Sequence, residues 1–379
     1  MNIAELKEEI IRYSKTIGID KIGFTTASTF DGLRNRLMKQ QELGYQSGFE
    51  EPDIEKRVNP ALLMDQPMSI ISIALAYPTK MRERVVSKPG ERRGIFCRAS
   101  WGDDYHLVLK DRLSKLEAYL EELVPDVRFT SMVDTGALSD RAVAERAGIG
   151  WSGKNCSIFT PEFGSYVYLG ETITNIPFEP DEPLESKCGT CTKCIDACPT
   201  GALVQGGQLN AQRCISFITQ TKGFMPDEFR EELGNRIYGC DTCQTICPEN
   251  KGKDFHFHEE MEPDSEIVKP LLKPILHMSN REFKEKFGRL SGSWRGRKPI
   301  QRNSIIALAH FKDESAVGDL IMLMKKDPRP VIRGTAAWAL GKIGGEEAEK
   351  ALQAMQATEE DPEVQQEIEK GLKMFNPIM

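Results

Sequence analysis

Two periods alternate along the first half of the chain. Ile3, Leu6, Ile10 and Ile17 fall on one helical face, and residues 21–24 then read as a short strand. Residues 70–77 form a continuous apolar run, rich in β-branched side chains and closed by Pro78, which predicts a strand buried on both faces. Leu109, Leu113, Leu116, Leu120 and Leu123 mark a helix over 105–123 with a single apolar stripe. Residues 128–133 and 166–174 predict further strands, with a helix over 139–147 between them. At 177–183 the pattern breaks into Pro-Phe-Glu-Pro-Asp-Glu-Pro, which reads as a linker. A cysteine-rich segment and a polar stretch at 251–262 follow, and the remainder is helical. The expected domains are therefore 1–176, 177–255 and 256–379, an α/β + α architecture.

The helical tail repeats itself weakly. Pro299-Ile300-Gln301-Arg302, Pro330-Val331-Ile332-Arg333 and Pro362-Glu363-Val364-Gln365 recur at intervals of 31 and 32 residues. The first two open apolar helices, and Asp327-Pro328 and Asp361-Pro362 are helix-start signals. A period of this size predicts stacked helix pairs of the HEAT-like kind; the plainer alternative is a helical bundle.

Composition narrows the function. With 50 Lys and Arg against 57 Asp and Glu the net charge is -7, which argues against coating nucleic acid through bulk charge but leaves room for a local basic patch. The longest strongly apolar stretch, 68–77, is too short to cross a bilayer, and the N-terminus carries acids where a signal peptide carries bases. A soluble, cytoplasmic protein with no membrane partner is expected.

Eight of the ten cysteines crowd between Cys188 and Cys247. In a cytoplasmic chain such crowding reads as metal ligation rather than disulfides. Cys188-x2-Cys191-x2-Cys194-x3-Cys198-Pro199 is the bacterial ferredoxin run, whose fourth thiolate serves the other cluster. A second run, Cys240-x2-Cys243-x3-Cys247-Pro248, has Ile237 where its first cysteine belongs, and Cys214 is the spare that replaces it. One [4Fe-4S] cluster is thus assigned to Cys188, Cys191, Cys194 and Cys247, the other to Cys198, Cys214, Cys240 and Cys243. Two Cys-x2-Cys pairs also suit zinc, but a Cys-x2-Cys-x3-Cys-Pro ending met twice is not a zinc spacing. The chain is expected to move single electrons.

The segments 188–202, 213–216 and 238–244, together with Val133-Asp134-Thr135 and Glu145-Arg-Ala-Gly-Ile-Gly-Trp-Ser-Gly-Lys-Asn155, resemble the epoxyqueuosine reductases over nearly the whole chain. The displaced Cys214 fits that family. The resemblance implies a nitroreductase-like cobalamin-binding domain, a two-cluster ferredoxin-like module and a HEAT-like tail that contacts tRNA. It implies reduction of epoxyqueuosine to queuosine at the wobble position of tRNAs for Asp, Asn, His and Tyr. By position it assigns Asp134 as proton donor and Arg57, Cys97, Asp134, Leu169, Ser216, Cys240 and Asp241 as cobalamin contacts. A buried Asp134 facing a corrin would have a raised pKa; the plain reading is a cap for the turn before the 139–147 helix. Arg57 also suits a surface helix end and Cys97 a small buried apolar residue. Cys156 reads as structural, and Ser152-Gly153-Lys154 lacks the spacing of a phosphate loop. No Asp-x-His-x-x-Gly stretch offers a histidine to cobalt, and the five histidines are His106, His256, His258, His277 and His310.

A tRNA substrate needs cations for its phosphates. The best stretch is Trp294-Arg295-Gly296-Arg297-Lys298, with Arg302 and Arg289 nearby; Lys222-Gly223 is smaller, and Arg82, Arg84, Lys88, Arg92 and Arg93 form another group. An external donor such as ferredoxin or flavodoxin, and a monomeric state, complete the expectation. Two other functions stand beside this one: a cobalamin-dependent reductase of small molecules, of the dehalogenase kind that the resemblance also touches, or a non-catalytic electron carrier fused to a helical scaffold.

Overall fold

The computed structural model describes residues 2–375. The chain divides into two compact units, each discontinuous in sequence. The first runs from the N-terminus to Lys80 and adds Asp103–Cys214 and Asp241–Glu262; the second combines Met81–Gly102, Ile215–Cys240 and the chain from Pro263 onward.

The first unit is built on a four-stranded antiparallel sheet of β1 (Lys21–Thr26), β2 (Ser69–Ala76), β3 (Phe129–Met132) and β4 (Val167–Thr174), in the order β1-β2-β4-β3. All eight residues of β2 are buried, as its unbroken apolar run predicts. Alternation along β4 sorts its side chains between two helices. Gly170 leaves room for Leu113, and Thr172 donates to Glu117, both on the helix Tyr105–Leu123. Leu169 packs against Ala144 and Ala147, and Ile173 shares a cluster with Val143, so the other face meets the helix Asp140–Arg146 and its C-cap. Glu171 therefore belongs to this second face, opposite Ser72 on β2 and Met132 on β3.

The stretch 177–183 is not a free linker. Phe178 is buried against Phe24, and the Asp181 carboxylate accepts the Phe24 N–H at 2.9 Å and the Lys7 ammonium at 2.6 Å. The Pro-rich composition keeps the segment out of the sheet, while its acid straps it to β1.

In the second unit the repeat resolves into helices Arg297–His310, Val317–Lys326, Pro330–Ile343, Glu346–Gln356 and Pro362–Lys373. Pro330 and Pro362 sit in the first turn, where their missing N–H costs nothing. Pro330–Ile343 and Pro362–Lys373 cross so closely that a Cβ on Gly341 would lie 2.4 Å from the Gly371 Cα. Ile305, Ile306, Leu308 and Leu340 are fully buried in this core. It also holds a bidentate ion pair, Arg230 to Glu367 at 2.6 and 2.9 Å, with side chains only 2% and 5% exposed. Removing one partner strands a buried charge, so Glu367→Ala should cost about 3 kcal/mol. A denaturant midpoint read on the full chain checks this, and Arg230→Met with Glu367→Leu should recover most of the loss.

Candidate active site and cluster module

β3 ends at Met132, and the chain turns sharply before the helix Asp140–Arg146. Asp134 occupies a left-handed conformation (φ +53°), and the Thr135 N–H donates back to the Val133 carbonyl across it. Gly136 is required two residues on, since a Cβ there would strike the Met132 side chain at 2.4 Å. The Asp134 side chain is 59% exposed and gathers two donors on one oxygen: the Tyr105 hydroxyl at 2.9 Å and His106 Nε2 at 3.2 Å. The other ring nitrogen of His106 meets Asp104 at 2.7 Å, and the Tyr105 ring stacks on His106 and on Tyr168.

These contacts reverse the expected titration of Asp134. Its hydrogen bond to His106 holds the carboxyl below its ordinary value, against a burial effect that would raise it. Burial alone would pull His106 down, yet hydrogen bonds to Asp104 and Asp134 push it up to about 9. At neutral pH the pair therefore stores its proton on the imidazole. Nor does the Asp134 side chain cap the following helix. The roles are swapped: the Asp134 N–H donates to Asp140 Oδ2 at 2.8 Å. Burial and the charge of Asp134 raise Asp140 to about 6, and burial raises Glu171, fully enclosed on β4, well above its ordinary value.

None of the ten cysteines forms a disulfide. In the first unit the structure brings Cys188 and Cys191 within electrostatic reach of Cys194, and Cys188 and Cys194 within reach of Cys247. Burial and neighbouring thiols push Cys194 and Cys247 up, while the amides of Ile195 and Glu249 pull them back. The Lys154 N–H approaches Cys188 Sγ at 3.4 Å, and the Lys154 ammonium binds the carbonyls of Gly189 and Cys191 at 2.7 and 3.0 Å. Amides aimed at sulfur and a lysine pinning the loop are a donor set suited to an iron-sulfur cluster. Asn155 donates to the Cys243 carbonyl at 3.2 Å. Of the second set, Cys198, Cys214 and Cys243 belong to the first unit and Cys240 to the second. Among the described residues no three His, Cys, Asp or Glu side chains converge as a single-ion site would require; a cubane differs in taking its thiolates at separate corners.

The residues expected to touch cobalamin are likewise divided. Arg57, Asp134, Leu169 and Asp241 lie in the first unit, and Cys97, Ser216 and Cys240 in the second. Arg57 ends a short helix, partly buried, and burial draws its pKa down. No hydrogen bond or ion pair satisfies its guanidinium among the described residues, which leaves it suited to an acceptor-rich ligand such as a corrin with its amides and phosphate. Cys97 takes its N–H to Tyr238 O, and a Cβ on left-handed Gly239 would fall 2.2 Å from its sulfur. Cys156 sits at φ +64°, its carbonyl bound by Arg141, as a turn residue would.

The basic stretch is partly committed elsewhere. Trp294 is 53% exposed, its Nε1 donates to Gln220 at 2.8 Å, and the Arg295 guanidinium lies 4.5 Å over its ring. Arg297 donates to the Met278 carbonyl, while Lys298 is half-buried and Lys222 and Gly223 are exposed. Arg302 corrects the sequence reading. It is fully buried, and its guanidinium donates to the carbonyls of Ile218, Thr221 and Gly223 at 2.7 to 2.9 Å. It has no surface to offer a phosphate and instead ties down the loop that carries Lys222. In the other basic group Lys88 pairs with Glu91 and Arg93 with Glu266, which neutralises two of its cations.

Sequence reasoning missed Tyr105, Asp140 and Glu171, and weighed His106 only to set it aside as a cobalt ligand. The Asp104-x-His106 spacing was the one available signal. Because folding raises His106, its stabilising effect is complete below pH 6.5 and fades as the pH climbs through about 9. A histidine-ring NMR titration should find that upper midpoint, and Asp134→Asn should move it toward 6.5.

Residues 57–135 match the family model described as epoxyqueuosine reductase QueG, DUF1730. Residues 187–250 match a 4Fe-4S double cluster binding domain, and residues 295–373 match HEAT repeats. The epoxyqueuosine reductase of Bacillus subtilis strain 168 is 69% identical over 379 residues, spanning 99% of this chain and 97% of its own. That of Escherichia coli K12 is 30% identical over 347 residues, spanning 90% of both. A crystal structure of epoxyqueuosine reductase with an epoxyqueuosine-modified tRNA-Tyr stem loop matches with a TM-score of 0.97 at 68% identity, covering 99% of this chain and 100% of that one. A Bacillus subtilis structure, described with its Asp134 catalytic loop swung out of the active site, matches with a TM-score of 0.96 at 68% identity, covering 98% and 100%. Similarity of this degree over the full length makes the chain a member of the epoxyqueuosine reductase family.

Proposed function

We propose that the chain reduces the epoxide of epoxyqueuosine, at the wobble position of tRNAs for Asp, Asn, His and Tyr, to the alkene of queuosine. The observation that carries this reading is the exposed Asp134 carboxylate, held by Tyr105 and His106, in the same unit as the cysteines of the first cluster. The relative solved with a modified stem loop, and the one described by its Asp134 catalytic loop, support it.

Removing the epoxide oxygen as water takes two electrons and two protons. Electrons arrive singly through two [4Fe-4S] clusters, assigned to Cys188, Cys191, Cys194 and Cys247 and to Cys198, Cys214, Cys240 and Cys243. Cobalamin, when bound, supplies a cobalt centre able to collect both and act as a nucleophile. Arg57, Cys97, Leu169, Ser216, Cys240 and Asp241 are assigned to hold it, with the 1–176 segment as a nitroreductase-like domain. Asp134 presents a proton to the departing oxygen, and His106 replaces it, so the acid need not itself have a raised pKa. Tyr105 orients the carboxylate by binding the same oxygen. The 177–255 segment is the electron module, and tRNA is carried by Lys222 and Gly223 of that segment together with Arg295, Arg297 and Lys298 of the tail from 256, with Arg302 as their support. Among the described residues no helix is long and apolar enough to cross a membrane. We assign the protein to the cytoplasm, as a monomer fed by a ferredoxin or flavodoxin.

Nucleoside mass spectrometry of tRNA from cells lacking the gene tests the reaction. Epoxyqueuosine should accumulate, and the wild-type gene but not Asp134→Ala should clear it. Normal queuosine without the gene, in cells with no second such enzyme, would sink the proposal. The ligand sets make a separate forecast. Cys194→Ser should lower iron from about eight to about four atoms per chain, and an unchanged iron content would remove Cys194 from the first cluster.

A further inference from the structure

Two carboxyls stand behind Asp134 with no part in the reaction as proposed. Asp140 accepts the Asp134 N–H at 2.8 Å from the first turn of its helix. Glu171 is fully buried on β4, and neither of its oxygens meets a hydrogen-bond donor among the described residues. The charges that reach it are those of Asp140 and Asp134. A carboxylate with no donor and two acids for neighbours cannot stay ionised in such a place. Glu171 is therefore the protonated member, and Asp140, which already accepts an N–H, is the ionised one. The facing residue from β2 is Ser72, whose hydroxyl is buried without a partner, and from β3 it is Met132. Arg57, on the helix Ile54–Val58, is the cation within reach of Asp140, and Arg141, next to Asp140 on its own helix, is within reach of Asp134.

We propose that Asp140 and Glu171 form an acid–carboxylate pair that latches the left-handed turn, making Asp140 the positioning residue for Asp134. The proposal rests on the reading of Asp134 as the proton donor. A non-glycine residue persists in a left-handed conformation only when its surroundings impose it. The Asp140 carboxylate is the side-chain acceptor that the turn's own backbone finds here. Ionised, it is a stronger acceptor than a neutral carboxylic acid. Glu171 supplies the single proton that lets one charge, rather than two, persist in the pocket. Protonation of Asp140, which burial places at about pH 6, then loosens the turn and withdraws Asp134 from His106.

The test uses the full chain with its cofactors and two readouts, the His106 ring titration and single-turnover epoxide reduction against pH. Asp140→Ala should shift the His106 midpoint from about 9 toward its value in Asp134→Asn. It should also slow reduction more than about tenfold, with tRNA affinity held within about twofold, because a misplaced group costs rate rather than binding. Asp140→Asn keeps only a neutral acceptor, as protonated Asp140 does. It should hold the midpoint and the rate between those of wild type and Asp140→Ala, at the level wild type reaches on the acid side, so that the fall in rate near pH 6 disappears. A wild-type His106 midpoint in Asp140→Ala overturns the latch, as does an acid limb that persists in Asp140→Asn. If Asp134→Asn reduces the epoxide normally, the functional reading fails instead, and the ring titration still reports whether the turn is latched.

Discussion

Holding a non-glycine residue in a left-handed turn costs on the order of 1 kcal/mol or more, and the site depends on the hydrogen bond that meets this cost. Asp134 points its carboxylate at Tyr105 and His106 while its backbone N–H donates to Asp140, and in the proposed latch the first depends on the second. That bond in turn depends on the register of the sheet. The pairing of β4 between β2 and β3 sets Glu171 opposite Ser72 and Met132, on the face where Asp140 begins its helix. A slip of one residue would exchange Glu171 for Gly170 or Thr172 and remove the acid behind the latch. The core strand is thus a condition of the chemistry as well as of stability.

The proton and electron supplies are arranged on the same logic. In each, a charged or chargeable group is stabilised by neighbours that do not react. His106 holds a proton because Asp104 and Asp134 favour its cation over the pull of burial. The thiols of Cys194 and Cys247, which burial disfavours as thiolates, are met by the amides of Ile195 and Glu249, and Cys188 by the Lys154 N–H. Lys154 shows why a phosphate-loop reading fails even apart from spacing. Its ammonium is spent on two carbonyls of the cysteine loop.

How far the sequence could be read depended on how local each cause was. The helix Tyr105–Leu123 was legible to the residue because five leucines repeat along it, and β2 differs from its predicted span by one residue at each end. The HEAT-like period was legible because each repeat carries its own proline start. The strap at 177–183 was misread because its anchoring contact, Asp181 to Phe24, joins residues 157 apart. Arg302 was misread because nothing in a Pro-Ile-Gln-Arg motif says that the cation will be enclosed by carbonyls of a loop some 80 positions earlier. The titration of Asp134 was wrong for a related reason. Its partners lie 28 and 29 residues upstream, and only the fold reveals that a histidine has taken its proton.

The placement of charge also constrains how an acidic chain can hold an RNA. Of the cations the sequence offered, Arg302 is enclosed, Lys88 and Arg93 are matched by carboxylates, and Arg297 is turned to a backbone carbonyl. Phosphate contacts by the cations that remain contribute a salt-dependent, sequence-blind increment of affinity. Selectivity then has to come from bases taken out of the stack and read individually. Trp294 suits such a task. It is exposed, its indole N–H is fixed by Gln220, and Arg295 lies over its ring. A platform already oriented loses little entropy when a base stacks on it. The buried Arg302 fits the same proposal, since it fixes the loop around Lys222, the exposed lysine assigned there to tRNA.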